Sequence, residues 1–201
     1  MITQEIIDLE QKYILQTYGR PNFVLERGAG MHLFDTEGTQ YLDFVSGLSV
    51  NALGYGNKMI TDAAADQAEQ LIHVSNLYHT IPAPQLAQLL CENSFADRVF
   101  FCNSGTESWE AAMKFARKYA YKQNPDSPKT KFIAMNQSFH GRTYGSISST
   151  GQPKYHQGFG PILPGIEFAE LNDLKSVEKL VDSETAAILV EPLQAEGGIN
   201  P

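Results

Sequence analysis

The sequence contains few of the residues that build disulfide frameworks or metal centres. Cysteine occurs twice in 201 residues, as Cys91 and Cys102, and each lies inside an apolar pattern. This usage excludes a disulfide framework and indicates buried thiols in a reducing compartment. The five histidines show no metal-ligand spacing with a cysteine or with a carboxylate pair. We therefore expect no metal site.

Basic clusters and long apolar runs are also missing. The net charge is −8, and acidic and basic residues are interspersed, so we expect no nucleic-acid partner. No apolar run is long enough to cross a bilayer, and the first residues lack the basic segment and apolar core of a signal peptide. These features predict a cytoplasmic protein without a membrane partner.

Hydrophobic patterns predict two parts of different architecture. Residues 1–50 are predicted to hold an N-terminal helix over 3–17 and a small antiparallel sheet, and residues 51–201 are predicted to form the larger part. A tight turn is expected at 35–38, between the second and third strands. The three short strands are expected at 23–25, 31–34 and 40–44, and two helices at 57–72 and from Pro84.

From Arg98 onwards, apolar strands alternate with amphipathic helices. This alternation predicts an α/β fold in which a mostly parallel sheet is covered by helices on both faces. Helices are expected over 105–121 and 173–181. The expected strands are 98–102, 131–135, 166–169 and 186–190.

The turn Asn103-Ser104-Gly105-Thr106 is the most informative segment. It leads from a predicted strand into a predicted helix, so it presents unpaired N–H groups and the positive end of a helix dipole to one point. Such a point is typical of an anion site, and a phosphate fits it best. Ser104 and Glu107 also match a capping box. The alternative is an ordinary capped turn with nothing bound.

Two further loops of unusual composition follow predicted strands, at 136–143 and 191–198. Ligands of open parallel sheets lie beyond the carboxyl ends of the strands, so we expect all three loops along one edge. The first loop offers phosphate donors, the second an aromatic face beside a guanidinium, and the third two carboxylates. Together they predict a pocket for a phosphorylated aromatic ring and an acidic small molecule.

Each side chain of these loops also has a plainer interpretation. Phe139 would serve equally as a core aromatic residue, and His140 as a hydrogen-bond partner of the loop backbone rather than a general base. Arg142 suits a carboxylate through its bidentate fork, or is a surface charge. Glu191 would be a loop anchor, and Glu196 lies among small residues that leave it free to move.

A series of longer motifs, from about Tyr18 to the last residue, carries a family resemblance. These motifs are Leu33-Phe34-Asp35 with Glu37-Gly38, Tyr41-Leu42-Asp43-Phe44, Gly47-Leu48-Ser49-Val50-Asn51-Ala52-Leu53-Gly54, Ser75-Asn76-Leu77-Tyr78, Phe95-Ala96-Asp97-Arg98-Val99-Phe100-Phe101, Asn103-Ser104-Gly105-Thr106-Glu107, Phe139-His140-Gly141-Arg142-Thr143 and Val190-Glu191-Pro192. In this order they resemble the class III, fold type I, pyridoxal-phosphate aminotransferases. The resemblance is greatest to the acetylornithine branch.

The resemblance implies roles for five residues. Gly105 and Thr106 would bind the phosphate of pyridoxal 5'-phosphate through backbone and hydroxyl groups, and Phe139 would stack on the pyridine ring. Arg142 would hold the α-carboxylate of the amino acid. Glu196 would lie near the substrate side chain and would gate an arginine, that is, control its availability, between the two substrates. The implied reaction moves an amino group from N2-acetylornithine to the 2-oxo acid 2-oxoglutarate, in arginine biosynthesis, by a homodimer.

The resemblance also implies residues that this chain does not show. The Schiff-base lysine and the aspartate that holds the pyridinium nitrogen are expected beyond Pro201, so no catalytic residue is assigned. We expect the chain to be the N-terminal half of the enzyme and inactive alone. Gly56-Asn57 replaces a common His-Pro pair, and Ala195 replaces a common glycine, which would stiffen the loop that carries Glu196.

Three other interpretations stay open on the sequence. A truncated remnant would be non-enzymatic or would only pair with another subunit. An ornithine, succinylornithine or 4-aminobutyrate aminotransferase would keep the chemistry and change the donor. A phosphate- or nucleotide-binding domain would explain Gly105 and Thr106 but would leave Phe139 and Arg142 without a role.

Overall fold

The chain forms two compact units in a computed structural model that describes residues 2–201. The first unit ends at Ile81 and the second begins at Pro82. Hydrophobic patterns instead predicted a division at residue 50. Its assignment of residues 1–50 and 51–201 to parts of a larger enzyme stays a prediction.

The first unit contains helices and one small sheet. Its strands are antiparallel in the order β1-β2-β3, and the predicted turn closes with the N–H of Gly38 donating to the carbonyl of Asp35 at 3.0 Å. Asn57 caps the last helix of the unit by accepting the N–H of Met59. The elements are α1 (Thr3–Tyr13), β1 (Leu25–Ala29), β2 (His32–Asp35), β3 (Gln40–Leu42) and α2 (Lys58–Gln70).

The first helix and the first strand of this unit depart most from their predicted bounds. Helix α1 ends at Tyr13 rather than at residue 17, because Ile14 has extended backbone and the Gln16 amide donates to the carbonyls of Glu10 and Ile14. The predicted strand 23–25 lies mostly before the observed β1, whose pairing with β2 starts at Leu25.

The second unit contains a parallel three-stranded sheet. Its order is β5-β4-β6, which confirms the parallel sheet expected from the alternation of strands and helices. No helix in residues 2–201 is both long and apolar enough to cross a membrane. The elements are α3 (Pro82–Glu92), α4 (Gly105–Gln123), β4 (Lys131–Met135), α5 (Tyr144–Ser149), α6 (Pro153–His156), β5 (Ile166–Ala169), α7 (Leu174–Leu180) and β6 (Thr185–Ile188).

Alternate residues of β4 face two apolar clusters. Phe132 and Ala134 pack with Met113 of α4 on one face, and Ile133 packs with Val177 of α7 on the other. Successive side chains of a strand point to opposite faces, so the apolar run 132–135 is buried on both sides. Helices therefore cover both faces of the sheet, as the sequence predicted.

Two expectations about the second unit are wrong. Residues 98–102 form no strand, because a strand needs a neighbouring strand and these residues pair with none of β4, β5 and β6. The segment between the predicted strands 131–135 and 166–169, for which no helix was predicted, contains α5 and α6. Helix α5 is rich in serine and glycine, which have low helix propensity, so its sequence does not predict a helix.

Gly151 offers a direct test of the packing at the end of β4. Its carbonyl accepts the N–H of Gln137 at 2.8 Å, and a Cβ at position 151 would overlap the carbonyl oxygen of Met135. We expect Gly151→Ala to lower the free energy of unfolding by about 1–3 kcal/mol, the usual cost of overpacking, as measured by urea denaturation.

The matched control is Gly19→Ala, because a Cβ at position 19 has no atom within 4 Å. Equal urea midpoints for the two variants would contradict the close approach of Gly151 to Met135.

Candidate functional site

The first loop closes through two side chains at the start of α4. The Ser104 hydroxyl accepts the N–H of Glu107 at 3.3 Å, and the Glu107 carboxylate accepts the N–H of Asn103 at 2.7 Å. The predicted capping box is therefore half right, since the carboxylate bonds Asn103 and not Ser104. These two bonds hold the turn against the helix and set its first residue at Gly105.

Two backbone donors remain at this helix start. Among residues 2–201, no acceptor pairs with the N–H of Gly105 or with that of Thr106, and a Cβ at Gly105 would meet no atom within 4 Å. The positive end of the dipole of a 19-residue helix acts at the same point. Free donors, open space and dipole together suit a phosphate.

The second loop, 136–143, packs directly against this helix start. The Thr106 hydroxyl donates to Ser146 Oγ at 2.8 Å and lies 2.9 Å from Thr143 Oγ1. Gly141, at φ +123°, approaches Thr106 so closely that a Cβ there would overlap the threonine hydroxyl. The hydroxyl predicted to reach a phosphate therefore bonds protein groups here, which leaves the Thr106 N–H for an anion.

Glu110 is a site residue that the sequence analysis missed. Its Oε1 accepts the hydroxyl of Thr143 at 2.6 Å and the N–H groups of Gly145 and Ser146 at 2.8 and 3.3 Å. A signal was present, because Glu110 lies four residues after Thr106 and therefore on the same face of α4. Glu110 joins α4 to the segment that follows Arg142.

The third loop, 191–198, is bonded to the second at two points. Glu191 Oε2 accepts the N–H of Phe139 at 3.1 Å. Glu191 therefore acts as a loop anchor, the plainer role considered for it from the sequence. Gln194, also missed, is 1% exposed and donates through Nε2 to the carbonyl of Asn136 at 3.0 Å. The expected meeting of the second and third loops is thus present in the structure.

Two carboxylates give this third loop its charge. Burial raises the pKa of Glu191 above its ordinary value, the N–H of Phe139 opposes that rise, and the charge of Glu196 adds to it. Glu196 itself is exposed. A half-buried carboxylate beside a second one favours a cationic group nearby.

Phe139 and Arg142 both contact Tyr155 of α6. The Phe139 ring meets the Tyr155 ring edge-on, with centroids 5.6 Å apart and planes at 65°. The guanidinium carbon of the exposed Arg142 lies 5.3 Å from the centroid of the Tyr155 ring. The predicted ring-binding and carboxylate-binding side chains therefore share one aromatic neighbour, which no sequence pattern indicated.

His140 is a buried structural residue of the same loop. Its ring stacks on Trp109 with centroids 3.6 Å apart, and its backbone N–H donates to Thr150 Oγ1. Its Nε2 is buried and has no hydrogen-bond partner within residues 2–201. Burial lowers the pKa of His140 from 6.5 to about 4, so the ring is neutral at pH 7. The ring anchors the loop by stacking.

Residues 13–201 match the family described as aminotransferase class-III. This chain belongs to that family. It is 51% identical over 189 residues to the acetylornithine aminotransferase of Aquifex aeolicus, covering 94% of this chain and 50% of that protein. It is 46% identical over 200 residues to the acetylornithine aminotransferase of Methanocaldococcus jannaschii, covering 100% of this chain and 50% of that protein.

Solved structures of aminotransferases share the fold. The ornithine aminotransferase of Toxoplasma gondii superposes with a TM-score of 0.92 at 33% identity, covering 100% of this chain and 48% of that one. An aminotransferase of Bacillus anthracis superposes with a TM-score of 0.88 at 29% identity, covering 98% and 50%. This class-III chain thus spans about half the length of the curated relatives and structures it matches.

Class-III aminotransferases depend on pyridoxal 5'-phosphate, and the described residues fit that group. The two free N–H donors at the start of α4 suit its phosphate. The half-buried Phe139 lies on the loop that packs against this point. The resemblance read from the motifs is confirmed at the level of family and cofactor.

The burial of His140 predicts a pH dependence of stability. Its pKa is lowered in the folded state, so the unfolded chain binds the proton more tightly between pH 6.5 and about 4. The contribution of His140 is therefore fully present above pH 6.5 and is lost as the pH falls toward 4. Urea unfolding should show a loss of at most about 1.4 kcal/mol per pH unit within that window.

His140→Phe should remove this part of the pH dependence, because phenylalanine keeps a ring for stacking on Trp109 and has no proton to bind. The control is His79→Phe at an exposed position. If His140→Phe retained the wild-type slope between pH 6.5 and 4, the buried neutral state of His140 would be wrong.

Proposed function

We propose that this chain supplies the cofactor- and substrate-binding loops of an acetylornithine aminotransferase. The enzyme transfers an amino group from N2-acetylornithine to 2-oxoglutarate and serves arginine biosynthesis. One observation carries the proposal: loop 136–143 is bonded both to the start of α4 and to loop 191–198. Phosphate donors, an aromatic ring, a guanidinium and two carboxylates therefore lie on connected loops.

Each binding group has a distinct task in this proposal. Pyridoxal 5'-phosphate supplies, when bound, the carbonyl group and electron-withdrawing ring that accept the amino group. The N–H groups of Gly105 and Thr106 bind its phosphate, and Phe139 packs on its ring. Arg142 holds the α-carboxylate of the amino acid through its planar fork. Glu196 lies beside the substrate side chain.

Similarity to relatives supports acetylornithine as the donor. Identity is 51% to the acetylornithine aminotransferase of Aquifex aeolicus and 33% to the ornithine aminotransferase of Toxoplasma gondii. Ornithine, succinylornithine and 4-aminobutyrate are the competing donors. Initial rates of the complete enzyme with each donor test the proposal, and a kcat/KM for acetylornithine below that for ornithine would overturn this choice.

Assembly and location complete the proposal. The complete enzyme would be a cytoplasmic homodimer. Large exposed aromatic side chains in the second unit support an association surface. They include Phe95, Phe100, Phe101, Phe115 and Tyr119.

Replacing Arg142 separates substrate binding from cofactor binding. Arg142→Ala in the complete enzyme should lower kcat/KM for the amino acid by roughly tenfold to hundredfold, because a charge-assisted pair contributes about 1.5–3 kcal/mol. Affinity for pyridoxal phosphate, followed by absorbance titration, should change little.

Arg142→Lys is the matched variant, and it should recover only part of the loss because an ammonium group cannot form the bidentate pair. A collapse of cofactor affinity, or unchanged kinetics in Arg142→Ala, would show that Arg142 does not bind the substrate carboxylate.

Gly105 allows one phosphate donor to be removed without disrupting the helix. It is the first residue of α4, where proline is well tolerated, and Ser104 has the extended backbone that precedes proline. Gly105→Pro removes the free N–H and puts a pyrrolidine ring in its place. We expect affinity for pyridoxal phosphate to fall by roughly tenfold to hundredfold, measured by the same titration.

The control is Leu174→Pro, at the first residue of α7, where the preceding Asp173 is also extended. Loss of affinity in both variants would point to damaged folding, and retention in both would refute phosphate binding by the Gly105 N–H.

A further inference from the structure

Helix α5 begins without the usual cap from its own chain segment. Its N-cap residue is Thr143, whose side chain makes no capping hydrogen bond. The N–H groups of Gly145 and Ser146, the second and third residues of the helix, bond the carboxylate of Glu110 on α4 instead. An N-cap side chain ordinarily satisfies these donors. Glu110 therefore supplies from another helix the cap that α5 lacks.

The contact between Glu110 and α5 is also sterically tight. Gly145 is buried, and a Cβ built on it would overlap the Glu110 carboxylate, whose three atoms are the nearest to that position. No positive φ is recorded for Gly145. Glycine at this position is therefore explained by the close approach of the carboxylate to the backbone.

Hydroxyl groups extend the hydrogen bonds of Glu110 to the start of α4. Glu110 accepts from Thr143 Oγ1 at 2.6 Å, Thr143 Oγ1 lies 2.9 Å from Thr106 Oγ1, and Thr106 Oγ1 donates to Ser146 Oγ at 2.8 Å. Thr106 carries one of the free N–H donors, and Arg142 directly precedes Thr143. One carboxylate thus connects the residues assigned to phosphate and to substrate carboxylate.

We propose that Glu110 is a positioning residue that fixes the backbone before and after Arg142 relative to the start of α4. It touches neither substrate nor cofactor in this role; it sets the distance between the phosphate-binding and carboxylate-binding points. This inference rests on the proposed function. A change at Glu110 therefore weakens binding of the amino acid and the oxo acid through Arg142.

The first measurement needs no catalysis. Hydrogen exchange of the peptide amides in 144–147 should quicken by roughly tenfold or more in Glu110→Ala, because two amides lose a charged acceptor. Glu110→Gln keeps an acceptor oxygen without the charge, so its exchange should lie between the two. Glu178→Gln, an exposed change on α7, is the matched control and should leave exchange unchanged.

The second measurement uses the complete enzyme loaded with pyridoxal phosphate. Glu110→Ala should raise the KM for the amino acid and for 2-oxoglutarate by roughly tenfold, with kcat within about threefold of wild type, as expected for lost ground-state binding. Glu110→Gln should recover part of the KM. A loss of stability alone would lower the amount of active enzyme without this split between KM and kcat.

A double-mutant cycle with Gly145→Ala checks the contact itself. Gly145→Ala should be more damaging in the wild-type protein than in the Glu110→Ala variant, because the shorter side chain in that variant makes room for the new Cβ. Additive effects of the two changes on the urea midpoint would overturn the close contact.

The outcomes separate this inference from the proposed function. Unchanged hydrogen exchange of amides 144–147 in Glu110→Ala would overturn the capping of α5 by Glu110, independently of the enzyme's activity. Faster exchange with unchanged KM values would overturn the positioning role and leave the proposed function intact. Absence of amino transfer by the wild-type enzyme would remove the proposed function and the substrate role with it, while the exchange result would still decide the cap.

Discussion

Strand β4 is bonded along both edges and buried on both faces, and the candidate site depends on that double constraint. The N–H of Asn136 donates to Ala169 at the end of β5, and the N–H of Leu189 beyond β6 donates to Ile133. The chain that leaves β4 therefore starts from a position held on each side. Loop 136–143 follows β4 directly, so its first residue has a fixed position. The turn at the start of α4 and loop 191–198 are both hydrogen-bonded to this loop.

Carboxylates hold the middle and the end of this loop. The Glu191 carboxylate accepts a hydrogen bond from the N–H of Phe139. The Glu110 carboxylate accepts hydrogen bonds from the hydroxyl of Thr143 and the N–H of Gly145. A carboxylate that accepts backbone N–H groups forms stronger hydrogen bonds than a neutral acceptor would. The ring and the guanidinium of the site are therefore carried by a backbone that is fixed before any ligand arrives, which lowers the entropy lost on binding.

Local patterns were reliable where they recorded burial or capping. Strands 131–135 and 166–169 have the predicted bounds, because runs that consist mainly of apolar residues are buried within the sheet. Helix α4 begins at the predicted residue because Ser104 caps it. The predicted strand 98–102 failed although its residues are apolar, since pairing needs a neighbouring strand that a local pattern cannot supply. Helix α5 was missed because its cap, Glu110, lies on a different helix.

The sequence by itself determined the class of fold, the capped turn at Gly105 and the family, because capping, periodicity and motif order are properties of neighbouring residues. Only the tertiary structure decided which side chains meet. The bond of the Thr106 hydroxyl to Ser146, the stacking of His140 on Trp109, and the anchoring of loop 136–143 by Glu110 are long-range contacts. Such contacts join residues tens of positions apart, and they exist only once the sheet and α4 have brought the loops together.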